Sequence, residues 1–277
     1  MQKSNFKNSI FYYESFYGHY IIYDRINIES ILPSVSISSI NSNELHKLLF
    51  NRALCLIEAI RLEKEYHNYD DQDNDHKFLI RQTSKAIIAC SDVKLLFSGQ
   101  YHHSYTQRCN IYKKLNNVSE KNKKLVELAT KIKLDPLNTK LIHNPLDFWL
   151  EGVNLFSYTS RLFFSKYLKL QLLFSNIELI KRYLKIFDKL TYLIINVEKI
   201  LLQKRFFPFR FYSFFFWRKY KYDQISLAHL ILIESFNNGK LKRIDKVILS
   251  RLLKVSNLLN WNDYQKISIR TWYKFKH

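Results

Sequence analysis

The stretch SNELHKLLFNRALCLIEAI, residues 42–60, decides the fold of this chain. Its apolar residues recur at steps of three and four, which places them on one stripe of a helix. The stripe consists of Leu45, Leu48, Leu49, Ala53, Leu56, Ile57 and Ile60. Ser42 or Asn43 has the short polar side chain that caps a helix N-terminus. We therefore predict an amphipathic helix here that ends near Glu65.

The same helical spacing continues on the C-terminal side of this stretch. It predicts further helices over roughly residues 75–98, 104–116, 119–134, 145–169, 176–203, 226–236 and 241–259. Gly99 lies where a C-cap glycine is expected. The chain has only four Gly and four Pro, too few for the many turns of an all-β fold. The expected fold class is therefore mainly α, built from helical bundles.

The N-terminal side has a different pattern. Residues 11–23, FYYESFYGHYIIY, are aromatic and β-branched, which favours one or two strands. We expect a short strand or hairpin remnant in residues 1–42, packing on a helical bundle formed by residues 43–135. The stretch 135–145 carries two prolines and is the expected boundary to a basic, aromatic-rich helical domain over residues 136–277.

The charge is distributed unevenly along the chain. Residues 1–100 hold 11 Lys and Arg against 12 Asp and Glu, whereas residues 101–277 hold 33 against 12. A field of one sign concentrates polyanions near it and speeds their association. Nucleic acid or another polyanion is therefore an expected partner. Lys, Asn, Ile, Tyr and Phe are all over-used, however, so codon drift in an AT-rich genome is the competing explanation.

The cysteines and the apolar runs bear on the compartment. Three cysteines, widely spaced and without a secretory signal in the first twenty residues, are typical of a reducing, cytoplasm-like environment. No uncharged run reaches the roughly 18 residues that cross a bilayer. We expect a cytoplasmic protein with no membrane span, and the sequence does not predict its oligomeric state.

Three stretches carry a resemblance to a known family. They are YESFYG at 13–18, LLFNRA at 48–53 and KAIIACSDVKLLFSGQYHHSYTQR at 85–108. Over about residues 11–110 the chain resembles the C-terminal part of bacterial nucleotidyltransferase-like proteins of the polymerase-β superfamily. The resemblance implies that residues 43–135 correspond to the helical substrate domain. It also implies that the stretch 101–108 faces a ligand cleft.

The catalytic half of that family has no counterpart here. Nucleotidyl transfer requires a Gly-Ser turn for the triphosphate and paired carboxylates for Mg²⁺ on neighbouring strand positions. The chain has no Gly-Ser pair, and its one D-x-D-x-D run, from Asp71 to Asp75, is expected in a loop between helices. That run also lacks the Gly and Glu of a calcium loop. We predict no catalytic residues, no metal and no cofactor.

A ligand cleft is one use of the polar and aromatic residues in the resembling region. Its candidate residues are Asn51, Arg52, Tyr101, His102, His103, Tyr105 and Arg108. The alternative is structural, with the tyrosine rings packed and Arg108 paired with an acid such as Asp92. Arg52 would likewise be held by a neighbouring carboxylate.

Two segments interleave basic and aromatic residues, as proteins that bind single-stranded nucleic acid do. They are KRFFPFRFYSFFFWRKYKY at 204–222 and the tail at 261–277. The predicted phosphate contacts are Arg205, Arg210, Arg218, Lys219, Lys221, Arg270 and Lys274. The predicted stacking rings are Phe207, Tyr212, Trp217 and Trp272. Packing of the rings in a core, a protein interface and a membrane-surface segment are the alternatives.

These patterns together predict a non-catalytic, nucleotidyltransferase-related accessory or scaffold protein whose basic C-terminal half binds nucleic acid or an assembly that contains it. One alternative is the substrate-binding subunit of a split nucleotidyltransferase whose catalytic half is another chain. The other is a structural subunit that binds proteins through its aromatic residues.

Overall fold

The computed structural model describes residues 9–18, 35–40, 42–60, 69–167, 225, 227–233, 243–256 and 259–276. Its α-helices are α1 (Ile10–Gly18), α2 (Ser42–Ala59), α3 (Tyr69–Phe97), α4 (Tyr105–Lys113), α5 (Glu120–Leu134), α6 (Pro145–Tyr167), α7 (227–233), α8 (Arg243–Leu253) and α9 (Trp261–Lys276). Two 3-10 turns cover Ile37–Ser39 and Pro136–Leu141. These described residues contain no strand. The mainly α fold class is confirmed.

The strand predicted near the N-terminus is wrong for residues 11–18, which belong to α1. Tyr13 lies on the inner face of this helix with 7% of its surface exposed. Its hydroxyl donates to the carbonyl oxygen of Tyr101 at 3.3 Å. This tertiary contact outweighs the β-propensity of the aromatic residues. The rest of the predicted strand, residues 19–23, lies outside the described part of the chain.

The chain divides into two compact units. Among the described residues, the first unit contains those up to Thr159 except Ile60, and the second contains Ile60 and those from Ser160 onward. The stretch 135–145, predicted as a domain boundary, lies inside the first unit. α6 contributes its first fifteen residues, 145–159, to the first unit and its last eight, 160–167, to the second.

The first unit has its core where α2 and α5 pack against α3. The fully buried ring of Trp149 on α6 donates its Nε1–H to the Leu56 carbonyl oxygen at 3.0 Å. Gly152 lets α6 approach α3 closely, because a Cβ at that position would lie 2.7 Å from Cγ2 of Thr83. A side chain there would overpack the contact.

The ends of α3 differ in how well the sequence predicts them. Gly99 has a φ of 68°, and the amide of Gln100 donates to the Leu95 carbonyl oxygen at 2.9 Å. This is the αL helix ending that glycine favours, and the predicted C-cap is confirmed. At the other end α3 begins at Tyr69, so the run from Asp71 to Asp75 is helical and the predicted loop is wrong there.

The second unit buries aromatic residues of α9. Trp261 is fully buried, and its Nε1–H donates to the Leu232 carbonyl oxygen at 3.0 Å. Fully buried His229 on α7 lies with its ring centroid 5.7 Å from that of Trp272. Burial lowers the pKa of His229 to about 3, so this imidazole is neutral near pH 7. No helix in the described residues is long and apolar enough to cross a membrane.

Candidate functional site

The most strongly coupled group of polar side chains in the resembling region is centred on Arg108 of α4. Its Nη1 lies 2.8 Å from Oε1 of Glu14 and 3.2 Å from Oδ2 of Asp92, and it also donates to the Tyr101 hydroxyl. That hydroxyl in turn donates to the same Glu14 oxygen at 2.5 Å. We call Glu14, Asp92, Tyr101 and Arg108 the Arg108 cluster. The pairing of Arg108 with Asp92, one of the two predicted alternatives, is present.

Four segments of the first unit meet in the Arg108 cluster. Glu14 comes from α1, Asp92 from the penultimate turn of α3, and Arg108 from α4. Tyr101 is in the cluster because the αL ending at Gly99 turns the chain back after α3. The Arg108 guanidinium carbon lies 4.2 Å from the centroid of the Tyr105 ring, which is a cation–π contact. The cluster therefore ties α1 and α4 to α3.

Burial sets the protonation states in the Arg108 cluster. It raises the pKa of Asp92 to about 7, and the nearby positive charge of Arg108 opposes this shift only in part. Burial pulls the pKa of Arg108 down, but the charges of Asp92, Tyr101 and Glu14 outweigh it and the pKa is raised. Burial also raises the pKa of Tyr101. At neutral pH Arg108 is a cation, Tyr101 keeps its proton, and Asp92 is near its midpoint.

The Arg108 cluster is largely buried within the described part of the first unit. The Arg108 side chain is 3% exposed and that of Asp92 8%, while that of Glu14 is 33% exposed. Nε and Nη2 of Arg108 and Oδ1 of Asp92 have no hydrogen-bond partner among the described residues. Nη1 alone makes all the polar contacts described for the guanidinium, so the cluster acts as a structural anchor in this arrangement.

The other predicted cleft residues are not part of this network. Asn51 is exposed on α2. Arg52 is half-buried, and its Nη1 donates to Cys55 Sγ at 3.7 Å. No carboxylate of the described residues forms an ion pair with Arg52, and the predicted pairing stays a prediction. The positive charge of Arg52 lowers the pKa of Asp92.

His102 and His103 are half-buried beside the cluster with ring centroids 4.2 Å apart. Nδ1 of His102 accepts from the Ser104 amide at 3.0 Å. Burial, followed by the charges of His103 and Arg108, lowers the pKa of His102. The described residues contain no group of three His, Cys, Asp or Glu side chains that could hold a metal ion.

Of the predicted nucleic-acid contacts, the structure describes three, all on α9. The others, Arg205, Phe207, Arg210, Tyr212, Trp217, Arg218, Lys219 and Lys221, lie outside the described residues. Arg270 and Lys274 are exposed four residues apart, in line with exposed Lys266. We call these three residues the α9 stripe. Trp272 is 3% exposed and packs near His229, so the stacking role predicted for it is not available in this arrangement.

Sequence reasoning missed two members of these sites. Glu14 was not among the predicted cleft residues, because nothing in the sequence links it to a residue 94 positions away. Lys266 was not included among the phosphate contacts. Lys266 is four residues before Arg270, and this spacing places the two side chains on the same face only if the tail is a helix.

Comparison of the chain with protein-family models, with curated proteins and with solved structures finds no match. The resemblance to nucleotidyltransferase-like proteins therefore stays a prediction based on its three sequence stretches. The functional argument depends on the side chains themselves.

Proposed function

We propose that this protein is a non-catalytic, nucleotidyltransferase-related accessory or scaffold protein that binds nucleic acid through its basic C-terminal half. The observation that carries the proposal is the α9 stripe. Lys266, Arg270 and Lys274 are all exposed and follow one line along the helix. No described ion pair engages Arg270 or Lys274. Arg270 and Lys274, with no carboxylate partner among the described residues, are available to phosphates.

The spacing of the α9 stripe suits an extended polyanion. Four residues of α-helix rise about 6 Å, so the three cations extend over about 12 Å along the axis. Lys and Arg side chains are long and adjust their reach, which allows successive contacts along one phosphate backbone. A small anion would engage at most two neighbouring positions of the three. The arrangement therefore favours a strand over an isolated phosphate.

The opposite face of α9 holds the helix in place. Trp261, Tyr264 and Ser268 are fully buried, and the Tyr264 hydroxyl donates to the Ser256 carbonyl oxygen at 3.0 Å. The stripe is therefore presented by an anchored helix, which reduces the ordering cost of binding. The wider context is the excess of 21 positive charges over residues 101–277.

The substrate-subunit alternative has less support. It needs Arg108 as a ligand-binding group, but Nη1 of Arg108 already contacts Glu14 and Asp92, and the side chain is almost fully buried. The salt dependence of binding distinguishes the protein-interface alternative from nucleic-acid binding, because salt screens phosphate contacts but not apolar burial.

The test is a salt titration of binding to single-stranded RNA and DNA pools, with Arg270→Glu and Lys274→Glu combined. Each phosphate contact contributes about 0.7 to the slope of log affinity against log salt for single strands. We expect the variant to lose affinity at low salt and to reduce the slope by about 1.4.

The matched control is Lys47→Glu with Lys114→Glu, which makes the same charge change at two exposed positions of the first unit. Its slope should match that of the unmodified protein. Equal weakening by both variants would show that net charge alone attracts the strand and would contradict the α9 stripe. Binding that persists at high salt would favour the protein-interface alternative.

A further inference from the structure

A cavity of about 440 Å³ lies in the first unit, away from the Arg108 cluster. One wall is the middle of α3, and the other is the segment after α5, with the 3-10 turn Pro136–Leu141 and the residues up to Pro145. The volume is in the range of small-molecule sites. Neither the proposed function nor the family resemblance uses this cavity.

The polar part of the lining is basic. Lys77 and Arg81 come from α3 and Lys140 from the 3-10 turn, with His76 and His143 beside them. Among the described residues, no Asp or Glu lines the cavity. Five side chains that carry or can carry positive charge therefore face one concavity without a carboxylate among them. Such a site attracts an anion.

Arg81 and Lys140 of this cavity differ from three other exposed cations of the same unit. Lys113, Lys121 and Lys131 each lie within 3.1 Å of a glutamate oxygen. Neither Arg81 nor Lys140 has an ion pair or side-chain hydrogen bond among the described contacts. Two cations at one cavity, neither with an acceptor among the described residues, repel each other unless an anion joins them.

The anion would be held by side chains and not by a helix terminus. α3 begins at Tyr69, so Lys77 and Arg81 lie two to three turns inside the helix, beyond the reach of its terminal amides. They are four residues apart and lie on the same face. Lys140 approaches from the opposite wall. A phosphate between the walls would receive donors from both.

Apart from Thr139, which is buried and uncharged, the remaining lining is apolar. Ile80 is 3% exposed at the base, whereas Leu137 is 74% exposed on the 3-10 turn next to Pro136. The turn is fixed by Asp135, whose Oδ1 accepts from the Leu137 amide at 2.9 Å. An exposed leucine on a capped turn offers a surface for the uncharged part of a ligand. The lining therefore combines anion and apolar recognition.

We propose that this cavity binds an organic phosphate, with the phosphate between Arg81 and Lys140 and an apolar or planar group against Leu137. The same chemistry is offered by a free phosphorylated small molecule and by the phosphorylated end of a nucleic-acid strand. The site is separate from the α9 stripe and does not depend on the function proposed for it.

Isothermal titration calorimetry with adenosine monophosphate, inorganic phosphate and adenosine tests the proposal. We expect adenosine monophosphate to bind more tightly than inorganic phosphate, and adenosine not to bind measurably. Arg81→Gln with Lys140→Gln should weaken adenosine monophosphate at least about tenfold, since charge-assisted hydrogen bonds are lost. Leu137→Ser should weaken adenosine monophosphate and leave inorganic phosphate unchanged.

Lys47→Gln with Lys114→Gln is the control of equal charge, and it should bind as the unmodified protein does. All of these positions are exposed, so the variants are expected to fold, which circular dichroism checks. A trinucleotide with and without a 5′-phosphate distinguishes the sources. Loss of its phosphate-dependent binding in the Arg81 and Lys140 variant would identify a strand end, and binding of the mononucleotide alone would identify a free ligand.

Three results would overturn the proposal. The first is the absence of binding by adenosine monophosphate and inorganic phosphate at millimolar concentration. The second is phosphate binding that the Arg81 and Lys140 substitutions leave unchanged. The third is loss of adenosine monophosphate binding in the Arg270 and Lys274 variant, which would transfer the phosphate site to the α9 stripe.

Discussion

Arg108 and Arg81 belong to the same compact unit and have the same side chain, but their surroundings are opposite. Arg108 is buried, contacts two carboxylates through one nitrogen, and holds helices together. Arg81 is exposed at a cavity that no carboxylate of the described residues lines. The comparison separates a cation paired with acids, which holds helices together, from a cation that lines a cavity with no described acid near it, which we propose as part of a site for an anion. Each of the following predictions tests the surroundings of one of these two arginines.

The largest effect is expected from Arg108→Ala. Removing one partner of a buried ion pair leaves its carboxylates without compensation, and such changes cost about 3–5 kcal/mol of unfolding free energy. Urea unfolding monitored by circular dichroism measures it. Arg108→Met combined with Asp92→Leu should recover much of the loss, because apolar residues replace the pair. A loss below about 1 kcal/mol for Arg108→Ala would contradict the structural role.

The next effect concerns pH. Asp92 has a folded pKa of about 7, above its unfolded value of about 3.9, so the folded form keeps a proton that the unfolded chain has released. Its contribution is fully present below pH 4 and is lost as pH rises through 7, at up to about 1.4 kcal/mol per pH unit. Asp92→Asn should flatten the stability profile between pH 4 and 7.

The control for this pH profile is Asp147→Asn, at an exposed carboxylate that accepts from Asn144. Its profile should keep the slope of the unmodified protein. If Asp92→Asn kept that slope as well, Asp92 would not be the titrating group.

A smaller effect is expected from Tyr101→Phe. The lost hydroxyl joins Glu14 to Arg108, and hydrogen bonds to charged groups contribute about 1.5 kcal/mol or more. Tyr105→Phe is the matched control, because its ring keeps the cation–π contact with Arg108. We expect it to change the unfolding free energy by less than about 0.5 kcal/mol. Equal effects of the two substitutions would contradict the role of the Tyr101 hydroxyl.

The smallest effect on stability is expected at the cavity. Arg81→Ala with Lys140→Ala should change the unfolding free energy by no more than about 0.5 kcal/mol, as at other exposed positions. Thermal unfolding measures it. A loss of several kcal/mol of unfolding free energy would show that Arg81 has a structural role like that of Arg108. This would contradict the difference drawn between the two arginines.

Much of the fold was predictable because its signals are local. The apolar spacing from Leu45 onward predicts α2, and Ser119, whose hydroxyl accepts from the Asn122 amide, begins α5 where predicted. Gly99 was predictable because few residues adopt a positive φ. The N-terminal segment was not, since the partner that makes α1 helical, Tyr101, lies 88 residues away.

The sites were predictable only where one helix, or two helices that follow each other in the chain, contain them. The α9 stripe follows from four-residue spacing once the tail is known to be helical. Arg108 with Asp92 could be anticipated from nearby elements, whereas Glu14 could not. The cavity was missed because its walls, around Arg81 and Lys140, are about sixty residues apart in the chain. Only the folded structure brings them together.

The length of α1 has a consequence for the kinetics of opening. A nine-residue helix is too short to persist alone in water, so α1 exists because of what it contacts. Glu14 and Tyr13 supply its described polar contacts with α4 and the end of α3. Amide hydrogen exchange in residues 10–18 should therefore report how often the Glu14–Arg108 pair separates. The exchange rate of the α1 amides would thus measure the local stability of the Arg108 cluster.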